Sequence, residues 1–221
     1  MWIVISNYQS DIMIIVILGP PGVGKGTIAD MLQEKHKFVH ISAGDVLRQE
    51  TTKKTKNAKM IAEYTSKGLL VPTKIITKLM LNAIKKTMSK NIILDGYPRE
   101  IKQAKAFLKH KKIDLVLDLQ AKEKNIIERL CGRRVCPKCH ANYHIKYVIP
   151  KKKWFCNKDN TKLIHRNDDK PKVIKERLKV YKRETKSLER YFKKLKIIKK
   201  VDANTNDPKI IFKRTEKVIK I

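Results

Sequence analysis

The sequence predicts an α/β fold of three layers, a five-stranded parallel sheet between helices, and three observations carry that expectation. Short apolar runs rich in β-branched residues recur along the chain, as strands buried on both faces require. Between them lie longer stretches with apolar residues at helical spacing, and strands alternating with helices imply a parallel sheet covered on both sides. The first run, Ile12-Met-Ile-Ile-Val-Ile-Leu18, leads straight into Gly19-Pro-Pro-Gly-Val-Gly-Lys-Gly-Thr27, and the helical stripe Ile28, Met31, Leu32 follows. A glycine-rich turn between a buried strand and a helix is the setting of a phosphate-binding loop (P-loop). Its glycines let backbone N–H groups close around phosphate oxygens, the helix N-terminus adds partial positive charge, and Lys25 adds a full one.

The remaining elements follow in order. Phe38-Val-His-Ile41 reads as a second strand, and Ser42 as the N-cap of a helix through Leu47 and Arg48. Residues 51–67 carry Met60, Ile61 and Tyr64 at helical spacing and close at Gly68. Val71-Pro-Thr73 marks a turn and the cap of a helix over about 74–88. Asn91-Ile-Ile-Leu-Asp95 is a third strand ending in a carboxylate, followed by the loop Gly96-Tyr-Pro-Arg99 and a helix near 100–110. Ile113–Leu119 is the fourth strand, and a helix from about 122 reaches Leu130. Residues 132–169 read as polar and loop-like, a helix runs from Pro171 to about Leu195, and Lys196–Val201 is the fifth strand. The last helix spans about 208–219, with Asp207 and Pro208 as its cap and first turn.

The 221 residues suffice for one sizeable core with an insertion. The net charge of +31 is large, but it is spread: +7 over residues 1–95, +11 over 96–169 and +13 over 170–221. Of the 52 basic residues 42 are Lys, whereas dense phosphate recognition favours Arg, so the excess reads as a solvated surface without a nucleic-acid role. No run approaches the ~18 apolar residues of a membrane span. Met1–Ser6 is apolar but lacks a basic n-region, so no export signal and no membrane partner are expected, and the location is expected to be cytoplasmic. In a reducing compartment four cysteines are thiols or metal ligands rather than disulfides. Met13 stands just inside the first strand, and residues 1–11 are therefore expected to be a start-site extension outside the fold.

Three constellations carry chemistry. In the glycine loop Gly26 follows Lys25 and the hydroxyl comes at Thr27, while Asp95 is placed to hold Mg²⁺ through water as the loop's acidic partner. Among only ten arginines, six lie near these motifs: Arg48, Arg99, Arg129, Arg133, Arg166 and Arg177. Phosphoryl transfer needs phosphates held in line and equatorial charge neutralised, which guanidinium groups do well. Arg134, Arg183, Arg190 and Arg214 read as surface residues. The third constellation is Cys136-Pro-Lys-Cys139, sixteen residues, then Cys156-Asn-Lys-Asp159. Three thiolates and a carboxylate at that spacing would close a tetrahedral shell around a structural Zn²⁺, with His140, His144 and His165 as competing ligands outside the knuckle spacing. Cys131 reads as a small apolar core residue.

Together these stretches resemble the adenylate kinases, specifically the long bacterial type with a zinc-binding lid. The resemblance rests on Gly19–Thr27 (GPPGVGKGT), Ile41–Arg48 (ISAGDVLR), Lys67–Pro72 (KGLLVP), Asp95–Arg99 (DGYPR) with Gln103, Arg129–Arg134 (RLCGRR), Cys136–Asp159 and Arg166–Arg177 (RNDDKPKVIKER), and covers about residues 12 to 202. It implies a P-loop core over 12–41, 72–131 and 170–221, a helical monophosphate-binding insertion over 42–71 and a zinc-binding lid over 132–169. It further implies a monomer that transfers a phosphoryl group reversibly from MgATP to AMP, giving ADP. Carried over by position, the amides of Gly22, Val23, Gly24, Lys25, Gly26 and Thr27 with the Lys25 ammonium would hold the ATP phosphates. Arg129 would stack on the ATP base and Arg133 would clamp its phosphates. Arg48 and Arg99 would grip the AMP phosphate beside Gly96, and Arg166 and Arg177 would neutralise the transferring group. Ser42 and Gln103 would face the adenine of AMP, with backbone groups near Leu70 and Val71. Asp95 would support Mg²⁺, and Asp168 and Asp169 would orient the lid arginines.

Ser42 and Tyr97 stand where relatives often carry Thr and Phe, and the loop Val201-Asp-Ala-Asn-Thr-Asn206 lacks a glycine after its Asp, which leaves its contact with the ATP base open. Two other readings remain: a UMP/CMP kinase on the same fold, disfavoured by Gln103 and the zinc lid, and a basic nucleic-acid-binding zinc protein. The latter is weakened by sparse aromatics, with Tyr143, Tyr147, Trp154 and Phe155 alone in the insert.

Overall fold

The structure, a computed structural model, describes residues 12–221, so the expected extension over 1–11 lies outside the described residues. At its centre is the expected parallel sheet, built from β1 (Met13–Leu18), β2 (Val39–Ser42), β3 (Asn91–Asp95), β4 (Leu115–Gln120) and β7 (Ile198–Asp202) in the order β2-β3-β1-β4-β7. β1 lies in the middle, with Ile15 opposite both Ile93 of β3 and Leu115 of β4. Its side chains alternate between two separate cores. Ile14, Val16 and Leu18 enter one, together with Met80 and Ile84 of α4 (Thr73–Lys85), Phe107 of α5 (Ile101–Leu108) and Phe192 of α8 (Lys186–Lys194). Ile15 and Ile17 enter the other, against Ile28 and Leu32 of α1 (Lys25–His36) and Phe212 of α9 (Pro208–Ile219). Burial on both faces is why β1 is apolar at every position. The edge strand β7 instead exposes Lys199 and Lys200, which keeps it from pairing with another chain.

After β1 the chain builds one side of the sheet (β2, β3) and then the other (β4, β7). The carboxyl end of β1 is thus a topological switch point, where open α/β sheets leave a crevice for ligands. Two segments flank it. One holds α2 (Ala43–Thr51) and α3 (Lys56–Ser66) after β2. The other follows α6 (Glu123–Gly132) and contains β5 (Arg133–Val135) paired antiparallel with β6 (Asn142–His144). Among the described residues no helix is long and apolar enough to cross a membrane.

The expected caps form: Ser42 Oγ accepts from the Asp45 amide at 3.3 Å and Asp207 from the Lys209 amide at 2.8 Å. Four local expectations change. Residues 132–169 are not wholly loop-like, because β5 and β6 form and the bridges Val135–Ile164 and Phe155–Lys162 tie the rest to them. The helix after Pro171 is α7 (Pro171–Val180) joined to α8 through a π-helical turn, Tyr181–Thr185. Thr73 does not cap α4: its hydroxyl donates to Glu100 Oε1 at 2.6 Å, and Pro72 precedes the helix without a side-chain cap. Cys131 is exposed, not a core residue, because it follows the buried Leu130 by one position and so turns ~100° away from the packed face of α6.

Candidate active site

The phosphate loop sits at the switch point. Gly22 and Gly24 have φ of 83° and 107°, the left-handed region that favours glycine, and a Cβ on Gly22 would fall 2.5 Å from Leu130 Cγ. No side chain caps α1 at Gly24, so its first-turn N–H groups face the crevice as an anion-binding end. Lys25 Nζ donates to Gly19 O and Pro20 O, each at 2.9 Å. Burial pulls its pKa down to about 7; Asp95 works against that fall, and Arg99, Arg177 and Arg133 add to it. Cations thus converge on a space lined by only two carboxylates, Asp45 and Asp95, the arrangement expected where multiply charged anions belong.

Opposite the loop, Arg99 follows β3. Its Nε donates to Gly96 O at 2.8 Å and its amide donates to Gln103 Oε1 at 2.9 Å, which fixes where the guanidinium lies. Arg48, one turn into α2, pairs with Asp45. From the other side come three arginines tied to two neighbouring carboxylates. Arg166 Nε and Nη2 grip both oxygens of Asp168 at 2.8 and 2.6 Å. Arg133 on β5 grips Asp169 bidentately, and Arg177 on α7 reaches Asp168 Oδ2 at 3.1 Å and Asp169 Oδ1 at 3.3 Å. Burial resists ionisation of Asp168, but Arg177 and Arg166 outweigh it and hold its carboxyl well below the usual range. Arg129 on α6 donates to Val23 O, Ala203 O and Thr205 O, so this one side chain joins the phosphate loop to the glycine-free loop after β7.

Of the residues singled out in the sequence for nucleotide, all but Val71 and Gln103 line one cavity between these walls. Val71 is 4% exposed within the core, and Gln103, 2% exposed, uses its side chain on the Arg99 amide. His140 Nδ1 lies 3.5 Å from Asp45 Oδ1, so the segment after β5 touches α2 across the cavity mouth.

The third constellation also assembles. One ligand atom from each of Cys136, Cys139, Cys156 and Asp159 lies within 4.8 Å of all the others, and none of the histidines joins them. Cys139 Sγ and Cys156 Sγ are 3.4 Å apart, without a disulfide. Backbone amides of Cys139 and Lys158 point at the sulfurs of Cys136 and Cys156, each at 3.4 Å, and the Thr161 amide donates to Asp159 Oδ1 at 3.0 Å. Such donors stabilise the anionic ligand forms, and the set fits a closed tetrahedral metal shell.

A family model described as adenylate kinase matches residues 17–197. The chain belongs to the adenylate kinase family. It is therefore a nucleoside monophosphate kinase, a phosphotransferase. It is 45% identical over 186 residues to an adenylate kinase of Hydrogenobaculum sp., covering 82% of this chain and 88% of the relative. It is 41% identical over 198 residues to one from Caldanaerobacter subterraneus subsp. tengcongensis (87% and 90% covered), and 38% identical over 213 residues to one from Clostridium tetani (94% and 98% covered).

Several residues of this adenylate kinase cavity were not singled out as nucleotide residues in the sequence. His40, on β2, bonds Asp30 through Nδ1 at 2.9 Å, and its buried Nε2 lies 3.6 Å from Asp95 Oδ2 without a hydrogen-bond partner. Burial opposes the charged ring, but Asp30 and Asp95 outweigh burial and raise its pKa to about 10. A polar residue in an otherwise apolar strand was the available signal. Asn142, His144 and Tyr147 line the other end, with the His144 and Tyr147 rings stacked at 4.4 Å. Their signal was an aromatic pair three residues apart beside the arginine-rich stretch, and His144 had been read only as a metal ligand.

Proposed function

We propose that the chain catalyses MgATP + AMP ⇌ MgADP + ADP with the residues assigned from the sequence. The observation that supports this reading is that the glycine loop with Lys25 and the pair Arg48 and Arg99 line one cavity. Donor phosphates lie on the α1 N-terminus and Lys25, beneath Arg133, with the donor base by Arg129. The acceptor phosphate lies on Arg48 and Arg99, its base near Ser42 and Leu70. An acceptor phosphate oxygen attacks the terminal phosphorus in line, the bond to the bridging oxygen breaks, and the leaving diphosphate keeps that electron pair. The nucleophile is already an anion, so no side chain need take a proton. The protein's work is placement and charge neutralisation by Arg166 and Arg177, positioned by Asp168 and Asp169.

Mg²⁺ would be held through water by Asp95, and when bound it supplies further neutralisation of the phosphate oxygens. Zn²⁺ would be held by Cys136, Cys139, Cys156 and Asp159 and would be structural, keeping the segment that closes the cavity folded. Closing that segment excludes water, which would otherwise accept the phosphoryl group. A coupled assay over AMP, UMP, CMP and GMP, with ATP and GTP as donors, tests the substrate assignment. AMP with ATP is expected to be turned over fastest, and much faster turnover of UMP would overturn it.

A further inference from the structure

The strand β6 stands between the metal cluster and the nucleotide cavity, and its alternation divides its side chains between them. Asn142 and His144 face the cavity; Asn142 Nδ2 lies 3.4 Å from where a Cβ on Gly26 would sit, and His144 stacks on Tyr147. The ring of Tyr143 goes the other way. It is 6% exposed and packs in a small core with Cys136, Cys156 and Leu163. Its hydroxyl oxygen accepts from the Asn157 amide at 2.8 Å and lies 3.4 Å from Cys156 Sγ. The phenol's own proton is left for the sulfur, and a metal-bound thiolate, with no proton to give, is an acceptor. Tyr143 also borders the cavity.

We propose that Tyr143 is a positioning residue that couples metal occupancy to binding of the donor nucleotide: its phenol donates to the Cys156 thiolate and so fixes the strand from which Asn142 and His144 reach the cavity. The inference rests on the zinc and ATP assignments above. The link through β6 acts on the donor side; the contact of the same segment with α2, His140 Nδ1 to Asp45 Oδ1 at 3.5 Å, does not run through Tyr143. The link also runs both ways, since a coupling free energy is reciprocal.

The test compares the wild-type chain with Tyr143→Phe, each loaded with Zn²⁺ and each stripped, with ATP and AMP binding measured separately so that nothing turns over. Loss of a hydrogen bond to a metal ligand is expected to weaken zinc retention about tenfold in competition with a chelating dye. Loaded Tyr143→Phe is expected to bind ATP several-fold more weakly with AMP affinity unchanged, stripped wild type is expected to lose ATP affinity by a similar factor, and stripping Tyr143→Phe is expected to cost little more in ATP affinity. A variant that retains zinc as firmly as wild type, or that loses as much ATP affinity on stripping, overturns the proposal. Should the variant not fold, wild type loaded with Co²⁺ decides. ATP is expected to shift the thiolate-to-cobalt charge-transfer band and AMP to leave it in place; a band that ATP does not move overturns the proposal. A wild-type chain that takes up no zinc or binds no ATP strikes the underlying assignments instead.

Discussion

The sheet and the segment after α6 both present arginines to the same cavity, yet they are held in place by different means. Around β1 two cores converge, one containing nineteen buried residues and the other fourteen among the described residues, and every side chain of Ile14 to Leu18 belongs to one of them. The segment carrying β5 and β6 has a core of four, two of which are cysteines. The glycine loop and Arg99, at the ends of β1 and β3, are fixed by burial of neighbouring apolar surface. Arg133 on β5 is fixed by its ion pair to Asp169, in a segment whose small core adjoins the cluster of Cys136, Cys139, Cys156 and Asp159. The lesson is that one chain can line a cavity from a floor held by extensive hydrophobic surface and from a segment held by ion pairs and a small cysteine-containing core.

The comparison can be broken most directly by removing a side chain from each region. Phe107→Ala opens a cavity in the larger core and is expected to destabilise the whole chain by about 3–5 kcal/mol, seen in denaturant melts. Cys156→Ser is expected to speed amide hydrogen exchange over residues 133–166 while β1 and β3 stay protected. Equal loss of protection in β1 would show that the two regions fold as one.

Next in size is Lys25→Ala. It removes a charge from the floor without opening a core, so kcat is expected to fall about 10²–10³-fold while the melting temperature is not lowered. A parallel fall in melting temperature would mean that the lysine holds the fold rather than the phosphates.

Asp118 sharpens the account of the floor. It is 1% exposed on β4, with Oδ2 bonded to Gln120 Nε2 and Oδ1 unpartnered. Burial, and then the charge of Glu189, raise its pKa from 3.8 to about 6. A carboxyl whose folded pKa is raised penalises the folded state when it ionises; that penalty is absent below 3.8 and complete above about 6. Asp118→Asn keeps the acceptor for Gln120 and cannot ionise, so it is expected to add about 1–3 kcal/mol of stability above pH 6 and none in strong acid. Urea melts at both pH values check the sign.

The smallest effect concerns Lys25 again. Its pKa near 7 reflects burial among arginines, and donor phosphates would restore an opposing charge and raise it. ATP binding at pH 8 is therefore expected to take up a substantial fraction of a proton, measured by titration calorimetry in buffers of different ionisation enthalpy. Proton release would contradict that electrostatic picture of the floor.

The parts legible in the sequence were those recorded by neighbouring residues. A strand buried on both faces must be apolar throughout, as β1 is. A helix that begins at Ser42 or Asp207 needs an acceptor for its free amides, and each carries one. The parts that were not legible depend on residues far apart in the chain. β5 and β6 are three residues each, too short to show alternation, and the π-helical turn at Tyr181–Thr185 leaves the apolar spacing around it unchanged. Gln103 carries the right polar group for a base, but packing turns it toward the Arg99 amide. His40 gains two carboxylate neighbours only because β2 lies beside β3 and α1 packs nearby.

By itself, then, the sequence determined the parallel sheet with its helices, the glycine loop and its lysine, the set of arginines and the cluster of three cysteines and Asp159, because periodicity, turn chemistry and ligand spacing are local. Only the tertiary structure decided which carboxylate holds which arginine, that His40 stands against Asp95, and that Tyr143 on β6 reaches Cys156. Those pairings join residues separated by up to 55 positions along the chain, and it is the packing of the sheet and its insertions, not local preference, that brings them together.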